Sequence, residues 1–152
     1  RVKHYQLACS DSQRTINASM VSNMYVATEI EACEKVSMES VRVDDIIDEP
    51  IDIVKIDIEG HEPAGIEGMK NLISKHMPII FSEVNEYWLR TCSNSSSSQY
   101  IELLSSLGFE IYNIEDLVNP ITASTLQMDI LTSMDIVAFP VGVVRQDLKE
   151  RQ

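Results

Sequence analysis

The stretch Ile51-Asp52-Ile53-Val54-Lys55-Ile56-Asp57-Ile58-Glu59-Gly60-His61-Glu62-Pro63 decides the fold class of this chain of 152 residues. Its first eight residues are dominated by β-branched side chains, which predicts a buried β-strand that stops at Gly60. Pro63 suits the first turn of a helix, and Glu62 suits the positive end of that helix. The stretch therefore predicts a strand that carries charges at its exit and leads directly into a helix.

The residues that follow complete a strand–helix–strand unit. A helix from Glu62 to His76 is predicted because apolar residues recur at helical spacing, at Ile66, Met69, Leu72 and Ile73. Pro78 ends this helix, and Ile79 to Phe81 forms the next short buried strand, which runs into Ser82 and Glu83. Because such crossovers are right-handed, we expect residues 51–58 and 78–82 to form adjacent parallel strands.

The remaining segments extend this unit into a single α/β domain over residues 1–152. Before Pro50, short strands are predicted at residues 2–9, 15–20, 24–28 and 36–43, with a turn at residues 22–23. After Glu83 the pattern predicts a helix that Gly108 closes, and two final strands at residues 109–114 and 135–139. Alternating strands and helices with short connections predict a mostly parallel sheet.

The composition limits the partners and the compartment. Twelve Lys and Arg residues against 24 Asp and Glu residues give a net charge of −12, which repels nucleic acid and anionic membranes. No apolar run approaches the roughly 18 residues that a membrane-spanning helix requires. The three cysteines, Cys9, Cys33 and Cys92, have no metal-ligand spacing. We therefore expect a cytoplasmic protein without nucleic-acid or membrane partners.

Acidic residues gather where the two central strands end. A period of two places Lys55, Asp57 and Glu59 on one side of the first strand, and Glu83 ends the neighbouring strand. Carboxyl groups gathered in this way repel each other, and burial would raise the pKa of at least one of them; a general base or a cation site would both use the arrangement. We expect the same carboxylates to raise the pKa of His61. The structural alternative is an ion pair between Lys55 and Asp57, with the glutamates only capping the following helix.

Several segments share their order and spacing with one known family. The most specific is Lys55-Ile56-Asp57-Ile58-Glu59-Gly60-His61-Glu62, and the others are Val43 to Ile47, Gly68, Pro78 to Glu83, Leu107 to Tyr112 and Asp135 to Pro140. On these residues the chain resembles the FkbM family of S-adenosylmethionine-dependent methyltransferases. The resemblance covers most of the chain.

The resemblance implies a Rossmann-like sheet with an antiparallel last strand, S-adenosylmethionine as cofactor, and O-methylation of a small molecule or a sugar hydroxyl. It makes Val2 to Cys9 the third strand of the family's sheet and makes Ser10 and Asp11 the turn that borders the adenine. The family's Gly-rich cofactor loop and first two strands precede all of these residues, and the five glycines here contain no G-x-G pattern. We therefore expect a partial methyltransferase domain with a gap in its sheet and an incomplete cofactor site.

The resemblance also assigns roles to the acidic residues. Methyl transfer requires an aligned acceptor oxygen, the removal of one proton and the exclusion of water. Asp57 and Glu59 are the first candidates for the base, and Asp57 also lies where the methionine end of the cofactor would bind. His61 and Glu62 are alternative bases, and Glu83 is the candidate that accepts a hydrogen bond from the substrate hydroxyl.

Three further interpretations stay open. Tyr87 and Trp88 either line the acceptor pocket or cover the end of the sheet. The domain is either a methyltransferase or a non-catalytic assembly module, and its unpaired sheet edges favour a homodimer. We assign no dedicated metal ligands, but a hard divalent cation is the alternative use of Asp57, Glu59, Glu83 and His61.

Overall fold

The computed structural model describes residues 2–143 as an α/β fold with two sheets. The strands are β1 (Ala8–Cys9), β2 (Arg14–Val21), β3 (Met24–Val26), β4 (Glu34–Val41), β5 (Ile53–Ile56), β6 (Ile79–Asn85), β7 (Phe109–Asn113), β8 (Asp116–Ile121) and β9 (Ser133–Pro140). The helices are α1 (Glu62–Gly68), α2 (Lys70–His76), α3 (Glu86–Ser93) and α4 (Ser97–Ser106). The strand orders are β1-β4-β2-β3 in the first sheet and β5-β6-β9-β7-β8 in the second.

The first sheet contains the strands that were predicted before Pro50. β2 and β3 form a hairpin around Ser22 and Asn23, which both adopt positive φ, at 48° and 75°. Such dihedrals match the twist of paired strands and explain the predicted turn. The predicted strand from Val2 to Cys9 is wrong over most of its length, because only Ala8 and Cys9 pair, in parallel, with β4.

The second sheet contains the predicted strand–helix–strand unit. β5 and β6 are adjacent and parallel, with Ile53 opposite Ile79 and Ile56 opposite Ser82. The predicted helix between them is confirmed as two helices, α1 and α2, which are separated at Met69, where φ is −121° and ψ is 17°. The two strands predicted at residues 51–58 and 78–82 are therefore neighbours, as expected for a right-handed crossover.

The prediction of a mostly parallel, Rossmann-like sheet is wrong in its pairing. β9 lies between β6 and β7 and is antiparallel to both, and the missed strand β8 is antiparallel to β7. Only the β1–β4 and β5–β6 pairs are parallel within residues 2–143. The predicted antiparallel last strand is correct. The physical reason for the error is that β7 and β8 are joined by a short connection, which permits only an antiparallel pair.

Helices α1 to α4 and the second sheet enclose the main hydrophobic core. Its fully buried side chains come from both layers: Ile66 and Ile73 from α1 and α2, Ile80 and Val84 from β6, and Tyr100, Ile101 and Leu104 from α4. This core holds β5 and β6 together, so the residues at their exits are fixed relative to each other. None of the helices within residues 2–143 is long and apolar enough to cross a bilayer.

Candidate active site

The exit of β5 is a sharp turn that requires glycine at position 60. Glu59 and Gly60 adopt positive φ, at 54° and 85°. A Cβ atom on Gly60 would lie 2.2 Å from the backbone carbon and oxygen of Trp88, in addition to the strain of its φ. Glu59 is a non-glycine residue in the left-handed region, where an L-residue is disfavoured by about 1–2 kcal/mol. The close approach of α3 therefore determines where the Glu59 side chain begins.

Three acidic side chains meet at this turn. Asp57 and Glu59 follow β5, and Glu83 lies on β6, one residue beyond the partner of Ile56. One carboxylate oxygen from each lies within 4.8 Å of the other two. The parallel pairing predicted for the two strands therefore brings together three of the predicted site residues. We call Asp57, Glu59 and Glu83 the carboxylate trio.

The members of the trio have different electrostatic surroundings. Lys55 Nζ lies 2.7 Å from Asp57 Oδ2, so the predicted ion pair is present. Glu59 is half-buried and has no hydrogen bond or ion pair among the described residues. Burial raises the pKa of Glu59, and the neighbouring charges of Glu83 and Asp57 raise it further. Glu59 is therefore the member of the trio best placed to take up a proton.

A cavity of about 460 Å³ lies between the first sheet and the exit of β5. Asp57, Glu59 and His61 form one side of it. The other side is mainly apolar and includes Ala8, Cys9, Ile16, Ala18, Met24 and Met38. The volume falls within the usual range for small-molecule sites. Sequence reasoning missed this apolar wall, although the alternation of Ile16 and Ala18 along β2 already indicated an inward-facing side.

The predicted cofactor residues Ser10 and Asp11 lie next to His61 rather than next to the trio. Ser10 is fully buried because α1 packs closely over it: a Cβ atom on Gly68 would lie 1.9 Å from the Ser10 carbonyl oxygen. The Ser10 hydroxyl lies 3.1 Å from His61 Nε2, and Asp11 forms an ion pair with Arg14 at 2.9 Å. Both predicted cofactor side chains are thus engaged within the protein.

The expected rise in the pKa of His61 is wrong. Burial lowers this pKa, the Arg14 charge lowers it further, and only Asp11 opposes the change. The reason is that the ring turns towards Ser10 and the Asp11–Arg14 pair, so the trio does not dominate its surroundings. His61 nevertheless borders the cavity beside Asp57 and Glu59. It is a neutral side chain near neutral pH.

Glu62 lies beneath the turn and outside the trio. It is 2% exposed, and its Oε1 accepts a hydrogen bond from the Ile58 N–H at 2.9 Å. Burial raises the pKa of Glu62, and hydrogen bonds from the backbone oppose that rise. This carboxyl group closes the β5–α1 turn and does not line the cavity between the sheets.

Tyr87 and Trp88 lie on α3, a helix that the sequence reasoning missed. Their rings pack edge to face, with centroids 4.8 Å apart. Neither residue lines the cavity beside the trio. Asn85 is the N-cap of this helix, and its side chain accepts a hydrogen bond from the Trp88 N–H. Asparagine is a preferred N-cap residue, so this signal was readable in the sequence.

Comparisons with known proteins give one family and one structural relative. Residues 1–111 match the family described as Methyltransferase FkbM domain. The crystal structure of Methyltransferase FkbM from Methylobacillus flagellatus KT is similar, with 16% sequence identity and a TM-score of 0.49. The similarity covers 89% of this chain and 28% of that one, so the present chain spans well under half of the relative. No curated protein sequence matches the chain.

Proposed function

This chain belongs to the FkbM methyltransferase domain family, and from that membership we propose that it forms part of an S-adenosylmethionine-dependent O-methyltransferase. The acceptor is a hydroxyl group of a small molecule or a sugar. The matched region, residues 1–111, includes the whole carboxylate trio and the β1 side of the cavity. The net charge of −12 supports a small acceptor over a nucleic acid, whose phosphates the surface would repel.

The chemistry of the cavity is compatible with this cofactor. S-adenosylmethionine supplies an activated methyl group on a positively charged sulfur. The apolar side of the cavity, which includes Ala8, Cys9 and Met38, suits an adenine ring, and the Asp57 carboxylate complements a positive charge. Asp57 is the residue on this chain that would hold the methionine end. Ser10 and Asp11 would act by shaping the turn after β1, since their side chains already have partners.

In the proposed reaction, each member of the trio has a different role. Glu59 accepts the proton of the acceptor hydroxyl, because its carboxylate is unpaired and its pKa is raised towards the working pH. Glu83 accepts a hydrogen bond from the acceptor and orients its oxygen. Asp57 is held by Lys55 and keeps the site negatively charged after Glu59 has taken the proton. The observation that carries this proposal is the approach of the three carboxylates to within 4.8 Å.

Calorimetric titration with S-adenosylmethionine tests the proposal on the longest natural form of the protein. We expect saturable binding that weakens when Asp57→Asn is introduced, whereas Glu102→Gln, an exposed charge removal on α4, leaves it unchanged. For residues 1–152 alone we expect weaker binding, since they contain no Gly-rich loop. Absence of binding by the longest form would favour the non-catalytic assembly module.

The same titration, repeated with a divalent cation, tests the alternative use of the trio. Three carboxylate oxygens within 4.8 Å suit a hard cation such as Mg²⁺, Ca²⁺ or Mn²⁺. If the cation binds and S-adenosylmethionine does not, the trio is a metal site. If turnover is the same with and without a chelator, methyl transfer does not need a cation at the trio, as the proposal requires.

A further inference from the structure

A second cavity, away from the trio, lies between α3, the start of α4 and the segment before β9. Its volume is about 500 Å³, which is large enough for a small molecule. Its lining is mostly polar and includes Glu86, Arg90, Ser97, Ser98, Gln127 and Asp129. The mechanism of methyl transfer uses none of these residues.

A buried charged framework supports this cavity. Glu86 is 5% exposed, and its Oε2 accepts hydrogen bonds from the N–H and the hydroxyl of Ser97 at 2.7 and 2.5 Å. Its Oε1 accepts a hydrogen bond from Arg90 Nε at 2.5 Å. These bonds occupy the carboxylate and orient the Arg90 guanidinium, whose two terminal nitrogens have no hydrogen bond among the described residues.

The other free polar groups of the lining are a mixture of donors and acceptors. The Ser98 hydroxyl, the Gln127 amide and the Asp129 carboxylate make no side-chain hydrogen bonds within residues 2–143. A hydroxyl group both donates and accepts hydrogen bonds at one oxygen atom. A ring that carries several hydroxyl groups can therefore pair with the free donors as well as with the free acceptors of this lining.

The charges of the lining decide against an anion. Glu86 already occupies the N–H group at the start of α4 and the Arg90 Nε, and its negative charge offsets that of the Arg90 guanidinium, whose terminal nitrogens are the only cationic donors among the described residues of the lining. Asp129 adds a second negative charge at the rim. We propose that this cavity binds an uncharged polyhydroxylated molecule of monosaccharide size. The proposal is independent of methyl transfer, since such binding needs neither cofactor nor base.

The test is an NMR titration of the protein, without cofactor, using methyl α-glucopyranoside as the probe. We expect a dissociation constant on the order of 1 mM. Amide shifts should centre on Ser98 and Gln127 and leave Glu59 unaffected. The matching uronic acid, in which a carboxylate replaces the hydroxymethyl group of the same ring, should bind at least about tenfold more weakly because Glu86 and Asp129 outweigh the single positive charge of Arg90 in the lining. The ring without hydroxyls, 2-methoxytetrahydropyran, should not bind.

Two variants on one helix provide the matched control. Ser98→Ala removes a free hydroxyl from the cavity, and Ser105→Ala removes an exposed hydroxyl from the last turn of α4. We expect affinity to fall about fivefold in the first variant, the scale of one neutral hydrogen bond, and to stay constant in the second. Equal effects of the two variants, equal binding of the uronic acid, or shifts centred on the trio would each overturn the proposal. None of these outcomes bears on methyl transfer.

Discussion

Glu62 and Glu86 are more deeply buried than any member of the carboxylate trio, yet the carboxylates of both already accept hydrogen bonds within the protein. Glu62 accepts a hydrogen bond from the Ile58 N–H, and Glu86 accepts hydrogen bonds from Ser97 and Arg90. We call these two residues the capping pair. Glu59 is less buried and has no such partner among the described residues. The reactive acid that we propose, Glu59, therefore differs from the capping pair by its lack of partners beside like charges and not by its burial.

The pKa values of the two residues of the capping pair are shifted in opposite directions. Burial raises the pKa of Glu62 more than its backbone hydrogen bonds lower it. For Glu86 burial also acts upwards, but the hydrogen bonds from Ser97 and Arg90 outweigh it, and the pKa is lowered. The two hydrogen bonds from Ser97, assisted by the Arg90 cation, thus decide that Glu86 and not Glu62 stabilises the fold in its charged form.

Removal of the Glu59 carboxylate should have the largest effect. In a form of the protein that transfers methyl groups, Glu59→Gln should lower kcat by about 10²-fold, the usual scale for losing a general base. Affinity for S-adenosylmethionine should change much less, because the cofactor does not require the base. Single-turnover kinetics and calorimetry separate the two quantities. Unchanged turnover would move the base to His61 or Glu62 and would show that the unpartnered carboxylate of Glu59 is not the reactive one.

Neutralisation of Glu86 should lower the stability of the folded protein and leave turnover unchanged. Glu86→Gln weakens charge-assisted hydrogen bonds to Ser97 and Arg90, and we expect a loss of about 2 kcal/mol in the free energy of unfolding. Because the folded-state pKa of Glu86 is lowered, its contribution is present above the ordinary carboxyl pKa of 4.5 and is lost as the pH falls below it. Urea denaturation at pH 7 and pH 3 measures both effects. A constant difference between variant and parent at the two pH values would contradict this assignment.

The pH profile of turnover tests the coupling within the trio. A base must be ionised, so kcat should rise with pH through the pKa of Glu59, and this acid limb should lie above pH 4.5. Glu83→Gln removes one like charge and should move the limb to lower pH, but only partly, because burial is the larger cause of the raised pKa. At acid pH this shift alone should make the variant a few-fold faster relative to its own maximum than the parent is. A limb that moves upward would show that Glu83 does not repel Glu59.

Neutralisation of Glu62 should have the smallest effect. Glu62→Gln keeps an oxygen that can accept the hydrogen bond from Ile58, and it removes a charge that burial disfavours. We expect a change of less than about 1 kcal/mol. Because the folded-state pKa of Glu62 is raised, the parent loses stability as pH rises from 4.5 towards that raised pKa, and the variant does not. Thermal melting at pH 4 and pH 7 measures this; a large loss at pH 7 that shrinks at pH 4 would make Glu62 equivalent to Glu86.

The sequence by itself determined the features that depend on near neighbours. The parallel β5–β6 pair, the helical segment between them and the Ser22–Asn23 turn follow from local periodicity, Gly and Pro placement and crossover handedness. The gathering of the three acids also followed, because parallel neighbours exit at the same sheet edge. These features are set by interactions across a few residues or by one general rule of chain geometry.

Only the tertiary structure decided the features that depend on distant partners. The insertion of β9 between β6 and β7 made the second sheet largely antiparallel, and no local pattern in β6 specifies its second neighbour. The division between trio and capping pair arose in the same way: Ser97 and Arg90 occupy Glu86, and the backbone of Trp88 shapes the turn at Glu59 and Gly60. Burial, hydrogen-bond partners and pKa are properties of a side chain's surroundings, and packing supplies those surroundings from elsewhere in the chain.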